Sequence, residues 1–218
     1  ERGVACSPHG SCADLTNVVA ELPGALPGPA VLLAAHYDSV AAGPGVSDNA
    51  AGVAGDAFVI SGPGEYEVRG VFVTGVTMAH DTRGGADRGP VTAYTIIADD
   101  LAVCHLGDLG HVPTQEHVDA IGRVDVLLVP VGGGHTLGPR EAAEVVRLVE
   151  PAVVVPMHFR STTRPDLEAV ERFLSEMGVD PVDVEPNLQL SRAQLPESTQ
   201  VHVLEARWQQ PDLSPDVS

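Results

Sequence analysis

The sequence predicts a mixed α/β fold, in which an antiparallel meander is followed by a β-α-β-α segment. Short Val- and Leu-rich runs bounded by Gly, Pro or Asp predict strands, and two stretches with apolar residues at helical spacing predict helices. The chain has 218 residues, 44% of them hydrophobic, which is enough for one sizeable core. Strands are predicted at residues 17–22, 30–36, 58–60, 71–77, 92–98, 101–106, 124–129, 152–156 and 199–204.

The helices and turns of the prediction depend on recognisable local signals. Residues 140–149 form one amphipathic stretch, and Pro139 precedes it at a position where a first-turn proline is tolerated. Residues 166–177 form a second amphipathic stretch that ends at Gly178. A tight turn is expected at residues 99–100, and the Gly-, Asp- and Arg-rich residues 81–90 are expected to form a long hairpin connection.

Charge limits the classes of partner. The net charge is −18 and all 12 basic residues are arginines, so the chain repels a phosphate backbone and we expect no nucleic-acid partner. No apolar run approaches the roughly 20 residues of a membrane-spanning helix, so we expect no membrane contact. This charge is compatible with a small-molecule substrate as the partner.

Cysteines and the chain start bear on the compartment. Cys6, Cys12 and Cys104 are an odd set without the spacing of a disulfide framework. A bridge between Cys6 and Cys12 in an oxidising compartment stays open, and Cys104 is expected in the core. The start shows no signal-peptide pattern. Because the sequence begins with Glu1, we expect a further segment upstream.

Metal-type side chains follow three predicted strands. His80 and Asp81 follow residues 71–77, Asp108 follows residues 101–106, and His158 follows residues 152–156. Ligands of open α/β sheets gather at the carboxyl ends of strands. Imidazole nitrogen and carboxylate oxygen are zinc ligands, and a carboxylate that bridges two cations helps to activate a water. These strand ends therefore predict a zinc site of one or two ions.

Each of these residues also has a plain structural interpretation. A single histidine after a strand is more often a surface residue, Asp108 fits a turn, and His158 fits a strand end. His105 alternates with its neighbours along a strand and is expected to serve packing. Two further histidines are close enough in sequence to join the site or line its mouth, namely His111 and His135.

Residues 58–177 resemble the metallo-β-lactamase superfamily in its lactonase-like branch. The resemblance is carried by FVISGPGEYEVRGVFVTGV at 58–76, AHD at 79–81, VCHLGDLGH at 103–111, VDVLLVPVGGG at 124–134, EAAEVVRLVEP at 141–151 and VVPMHF at 154–159. It implies a four-layer αββα sandwich with His80 and His158 as metal ligands and Asp108 as the bridging carboxylate. The superfamily's His-x-His-x-Asp-His motif is absent from this sequence, so the resemblance implies an incomplete sandwich and an impaired site.

Residues 14–54 resemble a di-zinc aminopeptidase instead. The resemblance is carried by NVVAELPG at 17–24, PAVLLAAHYDSV at 29–40 and GPGVSDNAAGVA at 43–54. It implies that His36 and Asp48 are zinc ligands and that Asp38 supports His36. We therefore expect a chimeric chain, with an aminopeptidase-like fragment at 1–54, a metallo-β-lactamase-like domain at 55–206 and a tail at 207–218. In that chimera the foreign strand pair fills the missing half-sheet and brings His36 and Asp38 to the same cleft.

Three functions follow from these resemblances. The first is a metal-dependent hydrolase of metallo-β-lactamase type, with Asp108 and Asp38 as the catalytic carboxylates. The second is a zinc aminopeptidase activity from the N-terminal fragment, and the third is a degenerate, non-catalytic chain. The larger part indicates a cytoplasmic location, whereas the aminopeptidase-like part is typical of exported proteins. Exposed strand edges predict self-association.

Overall fold

A computed structural model describes residues 60, 62–68, 70–161 and 164–205, together with the backbone of three N-terminal strands. These strands are β1 (Arg2–Cys6), β2 (Cys12–Leu22) and β3 (Val31–His36), and they form an antiparallel sheet in the order β1-β2-β3. Cys6 is the Cα partner of Cys12, and Asn17 is the Cα partner of His36. The strands predicted at 17–22 and 30–36 thus correspond to β2 and β3, which pair with β1 and not with the larger sheet described next.

A seven-stranded mixed sheet forms the centre of the molecule, in the order β11-β9-β8-β7-β6-β5-β4. Strands β4 to β7 are an antiparallel meander, and β7, β8, β9 and β11 run parallel to one another. A short parallel pair, β10 with β12, lies beside it. The strands are β4 (Gly64–Val68), β5 (Val71–Ala79), β6 (Pro90–Ala98), β7 (Leu101–His105), β8 (Val126–Pro130), β9 (Val153–Met157), β10 (Val184–Glu185), β11 (Gln200–Val201) and β12 (Val203–Leu204).

Within the described residues, three helices and one 3-10 turn lie between these strands. Helix α1 (Gln115–Ile121) follows β7, α2 (Pro139–Val149) connects β8 to β9, and α3 (Val170–Met177) follows β9. Helix α2 begins with its proline in the first turn, and α3 ends at Gly178, which has a φ of +68°. The 3-10 turn is Arg192–Gln194.

The main core lies between the helices and one face of the sheet. Each helix contributes apolar side chains to it, namely Ile121 of α1, Val145 and Val146 of α2, and Phe173 and Leu174 of α3. They pack against apolar side chains of the strands, which are Met78, Ala93, Cys104, Leu127, Val129 and Val154. Full burial of one such large side chain stabilises a fold by about 1.5–3 kcal/mol. The β-α-β-α part is therefore held by the burial of a single continuous cluster.

The opposite face of the sheet has a second, smaller cluster. It is formed by Val126, Val153 and Val155, against which partly buried leucines of the 188–204 segment pack. The buried carboxylate of Asp125 ties this segment to the sheet, since its Oδ1 accepts a hydrogen bond of 2.6 Å from Arg192. Its Oδ2 accepts one of 2.8 Å from the backbone N–H of Ala102.

Several predicted elements differ from the observed ones. Of the predicted strand 58–60, only residue 60 is described, and it is not in a strand. Strand β4 was missed because Gly64, Glu65 and Glu67 give it low strand propensity, which its pairing with β5 overrides. Helix α1 was missed because it has only 7 residues. The helix predicted at 166–177 begins later, at Val170, because Arg164 holds Asp166 in a turn ahead of it.

Two of the predicted turns and connections are confirmed. The turn at 99–100 has Asp99 and Asp100 at φ of 48° and 61°, the left-handed pair that a tight hairpin turn requires. The 81–90 stretch is the connection between β5 and β6. The predicted tail at 207–218 lies outside the described residues. Within the described part, no helix is long and apolar enough to cross a membrane.

Candidate metal centre

Four strands have their carboxyl ends at the same edge of the sheet. Strand β5 runs antiparallel to β6 and therefore in the same direction as β7, β8 and β9. The residues that follow these four strands are His80, Asp108, the turn 132–135 and His158. The sheet topology thus brings to one edge three of the five residues that the sequence predicts as metal ligands, namely His80, Asp108 and His158.

His80 and Asp108 lie side by side at this edge. The Nε2 atom of His80 is 4.0 Å from Oδ2 of Asp108, and the two side chains are only 12% and 13% exposed. Two donors on one tetrahedral zinc lie about 3.3 Å apart, because each bond is about 2.0–2.2 Å long. A small rotation of either side chain therefore fits both donors to one cation.

His158 ends the β9 strand in an unusual backbone conformation. It is 6% exposed, and its φ of 51° is in the left-handed region, which is uncommon outside glycine. Its charge adds to the lowering of the pKa of Asp166, after the larger effect of the hydrogen bond from Arg164. Strained backbone at a strand end is a frequent feature of ligand-binding residues.

Two glycines allow the loops to approach these histidines closely. A Cβ on Gly110 would collide with the carbonyl oxygen of His80 and lie 2.7 Å from the backbone nitrogen of Asp81. A Cβ on Gly132 would collide with the carbonyl oxygen of His158 and lie 2.8 Å from Cα of Phe159. Both positions thus admit only glycine. The two close contacts fix the positions of the His80 and His158 backbones relative to the neighbouring loops.

The pKa of His80 is lowered from its ordinary value. Burial is the main cause, and the positive charges of Arg88 and His135 add to it, whereas Asp81 acts in the opposite direction. A lowered pKa keeps the imidazole neutral near pH 7, which is the form that ligates a metal ion.

Asp81 shapes the loop beside the site. Its carboxylate accepts four backbone hydrogen bonds, from the N–H groups of Arg83, Gly85, Asp87 and Arg88, at 2.8–3.0 Å. Burial is the largest single effect and raises the pKa of this carboxyl, but the four bonds together outweigh it and lower the pKa to about 2. The sequence places Asp81 among metal-type residues, but in the structure its oxygens organise the β5–β6 connection.

Three further histidines, His105, His111 and His135, differ in their surroundings. His111 accepts a 3.2 Å hydrogen bond from the backbone N–H of Ala79 and so supports the end of β5 next to His80. His105 is half-buried and its Nδ1 accepts a hydrogen bond from the N–H of Gly107, in agreement with a packing role. Burial lowers the pKa of His105 to about 4. His135, which follows β8 in the 132–135 turn, is exposed.

The described residues do not complete a metal site by themselves. Among them, no three His, Cys, Asp or Glu side chains are arranged to hold one metal ion. His80 and Asp108 therefore supply two donors that fit a shared cation, and further donors are required. His36 ends β3, but only its backbone is described, and Asp38 and Asp48 lie outside the described residues. Their roles as ligands stay predictions.

The signals that the sequence offered for the remaining site residues were weak. Gly110 and Gly132 stand in Gly-containing stretches with no readable requirement for a close approach. Only the close approach of these two glycines to the backbones of His80 and His158 shows what they do.

Fold and site together define an α/β protein that collects histidine and carboxylate side chains at joined strand ends. The family model described as the beta-lactamase superfamily domain matches residues 31–158. The chain belongs to this superfamily. The match extends through residues 31–54, where the sequence predicts an aminopeptidase-like fragment, and these comparisons carry no support for that fragment.

Similar proteins support the same assignment. A UPF0173 metal-dependent hydrolase of Pyrococcus horikoshii is 37% identical over 100 residues, which are 45% of this chain and 44% of that protein. One of Methanopyrus kandleri is 32% identical over 124 residues, 54% of each chain. The chain thus spans about half the length of the curated relatives it matches.

A solved structure extends the comparison to the fold. A protein of Thermotoga maritima, described as a Zn-dependent hydrolase of the metallo-β-lactamase superfamily, superposes with a TM-score of 0.60 at 38% identity. The match covers 70% of this chain and 74% of that chain. The predicted mixed α/β fold of metallo-β-lactamase type is therefore confirmed.

Proposed function

We propose that this protein is a metal-dependent hydrolase that cleaves an ester, amide or phosphoester bond of a small-molecule substrate. The observation that carries the proposal is the approach of His80 Nε2 to Asp108 Oδ2, 4.0 Å apart, at the joined strand ends of a beta-lactamase superfamily chain. The names of the relatives, which are metal-dependent hydrolases, agree with it.

The proposed roles follow from the positions of the side chains. His80 and His158 serve as ligands and Asp108 serves as the bridging carboxylate, with His36 and Asp48 as additional ligands and Asp38 as a second catalytic carboxylate. The metal is zinc, because the donors are imidazole and carboxylate. A bound zinc supplies a Lewis acid and lowers the pKa of a water. The chain's own contribution is to hold His80 neutral and to keep Asp108 largely away from solvent.

A second candidate is a chain with weak metal binding and little catalysis. It is favoured by the absence of the His-x-His-x-Asp-His motif from the sequence and of a three-donor cluster among the described residues. Aminopeptidase activity from the N-terminal segment is a third candidate, which only the resemblance of residues 14–54 favours.

One experiment separates the three candidates. Zinc per chain is measured by elemental mass spectrometry in the wild type and in His80→Ala, Asp108→Asn, His158→Ala and His36→Ala. Asp183→Asn, at an exposed carboxylate ahead of β10, is the control. A lactone, a phosphodiester and an aminoacyl anilide are then assayed. Zinc loss in the first three variants with lactone or phosphodiester hydrolysis supports the first candidate, and zinc-free wild type refutes it.

Cellular location and self-association are part of the same proposal. We place the protein in the cytoplasm and expect it to associate through exposed apolar surface, to which Phe72 of β5, 51% exposed, contributes. Size-exclusion chromatography of the wild type and Phe72→Ser checks the second point. A compact monomer for both proteins contradicts it.

A further inference from the structure

We propose that His105 is a positioning residue for Asp108, and that its ring Nδ1 holds the 105–108 turn in the conformation that brings the Asp108 carboxylate to His80. The part of this inference that concerns zinc rests on the proposed hydrolase function. The part that concerns the turn does not, because it follows from hydrogen bonds within the chain.

The imidazole of His105 bonds to the backbone of the turn. His105 is the last residue of β7, and its Nδ1 accepts a 2.9 Å hydrogen bond from the backbone N–H of Gly107. A bond from the side chain of one residue to the N–H two residues later is the bond of an Asx turn, in which Asn or Asp supplies the acceptor. Gly107 has a φ of +59°, in the left-handed region that favours glycine. The ring therefore fixes the backbone of the residue immediately before Asp108.

Two buried leucines hold the sides of the same turn. Leu106 and Leu109 flank the Gly107–Asp108 pair, and both are 0% exposed. The backbone N–H of Leu106 donates a 3.1 Å hydrogen bond to the carbonyl oxygen of Leu128, so the pairing of β7 with β8 continues into the turn. The carboxylate of Asp108 is thus carried on a segment that is packed on both sides.

The far end of the turn is tied to the strand that leads to His80. The backbone N–H of Gly110 donates a 3.1 Å hydrogen bond to the carbonyl oxygen of Ala79, the last residue of β5. In this arrangement Oδ2 of Asp108 lies 4.0 Å from Nε2 of His80. The His105 ring on one side and the bond to Ala79 on the other therefore restrain the position of Asp108.

The stability of the sheet does not by itself explain a histidine at position 105. Because Nδ1 is the acceptor, the proton of the neutral ring is on Nε2. Within the part of the chain that the structure describes, this Nε2 atom is buried and has no hydrogen-bond partner. A buried donor without a partner destabilises a fold, and an apolar side chain would avoid that cost. What the ring contributes here is its bond to Gly107.

Three substitutions of His105 separate the Nδ1 bond from the rest of the ring. His105→Asn keeps an acceptor at the Nδ1 position, His105→Gln places its amide near the Nε2 position, and His105→Leu has no polar group. His202→Gln is the control, because it removes a histidine whose ring bonds to Glu185 instead.

The zinc dissociation constant of the full chain is measured for each variant by competition with a chromophoric chelator. We expect zinc binding to be about 10–100-fold weaker in His105→Gln and His105→Leu than in the wild type. His105→Asn and the control are expected to stay close to the wild type. Equal affinities of the Asn and Gln variants overturn the proposal, since rescue by Asn is the result that a general packing role would not produce.

Hydrogen exchange of the Gly107 amide tests the turn without reference to zinc. In the full chain stripped of metal, we expect slow exchange in the wild type and His105→Asn, and faster exchange in His105→Gln and His105→Leu. Ring nitrogen shifts of His105 in the wild type are expected to show an unprotonated Nδ1 and a protonated Nε2. A proton on Nδ1, or unchanged exchange of Gly107 in the Gln variant, overturns the proposal.

Two further measurements keep the outcomes distinct. Denaturant unfolding of each variant shows that it is folded, and if His105→Leu does not fold, the comparison of the Asn and Gln variants decides. If the wild type binds no zinc, the proposed function fails, while the exchange of the Gly107 amide still decides whether the His105 ring fixes the turn that carries Asp108.

Discussion

Gly132 lies so close to the backbone of His158 that the space admits only the hydrogen atom that glycine has in place of a side chain. The turn after β8 and the strained residue after β9 are thereby locked together, and a hydrogen bond of 3.0 Å from the N–H of Val131 to the carbonyl oxygen of Met157 continues the contact. The position of one proposed ligand therefore depends on a residue with no side chain.

Substitution of Gly132 by alanine is expected to destabilise the protein by about 2–4 kcal/mol, because the added Cβ forces two backbones apart. It is also expected to lower zinc binding through displacement of His158. Denaturant unfolding and zinc content measure the two effects. Gly62→Ala is the control, because nothing lies within 4 Å of a Cβ at that position. Equal stabilities of the two variants would refute the close approach.

The carboxylate of Asp81 is expected to control the order of the β5–β6 connection. In Asp81→Ala, the amides of Arg83, Gly85, Asp87 and Arg88 lose their common acceptor, so their hydrogen exchange is expected to accelerate. Asp87→Asn, which removes only the ion pair with Arg83, is expected to leave most of this protection in place.

The same carboxylate predicts a pH dependence. The pKa of Asp81 is lowered in the folded state from 3.8 to about 2. The contribution of its ionised carboxylate to the stability of the fold is therefore fully present above pH 3.8 and is lost as the pH falls through about 2. Nuclear magnetic resonance of the four amides between pH 5 and pH 2 checks this window. Loss of the shifts already near pH 4 would contradict the lowered pKa.

Asp125→Ala, which removes a buried carboxylate, is expected to lower the free energy of unfolding by about 2–3 kcal/mol. The backbone N–H of Ala102 is then left buried without an acceptor, and Arg192 loses its anchor on the sheet. Arg192 is 48% exposed, so its own charge returns to water at small cost. Urea unfolding measures the change, and Asp87→Asn, from an exposed ion pair, is expected to stay within about 0.5 kcal/mol.

The thiol of Cys104 is expected to resist alkylation in the native protein. It is fully buried, and burial raises its pKa to about 12, so almost no thiolate exists at pH 8. Peptide mass spectrometry after iodoacetamide treatment, with and without guanidinium chloride, measures the labelling. Rapid labelling of Cys104 without denaturant would show that β7 opens to solvent.

Much of the fold was predictable because local signals and tertiary requirements agree. Continuous apolar runs gave β8 and β9, where both faces of the strand are covered. Pro139 and Gly178 correctly marked a helix start and a helix end. In β4, which contains Glu and Gly, the local signals and the tertiary requirements disagreed. Pairing with β5 formed a strand there, and the sequence-based prediction, which had no strand at this position, was wrong.

The candidate site was predictable to a smaller extent. The rule that ligands gather at carboxyl ends of strands correctly brought His80 and Asp108 to one edge. The same reasoning assigned Asp81 to the metal-type residues, although its oxygens are used by four backbone amides. Hydrogen bonds to loop backbone depend on loop conformation, which residue types alone do not specify.

The sequence by itself determined the class of fold, the order of the strands that carry metal-type residues and the acidity of the chain, because periodicity, apolar runs and charge are properties of the residues in order. Only the tertiary structure decided that Gly110 and Gly132 lie against the backbones of two histidines and that the Asp81 carboxylate accepts hydrogen bonds from four loop amides. These relationships are distances between segments that are remote in sequence, and such distances exist only after the sheet has formed and its loops have closed.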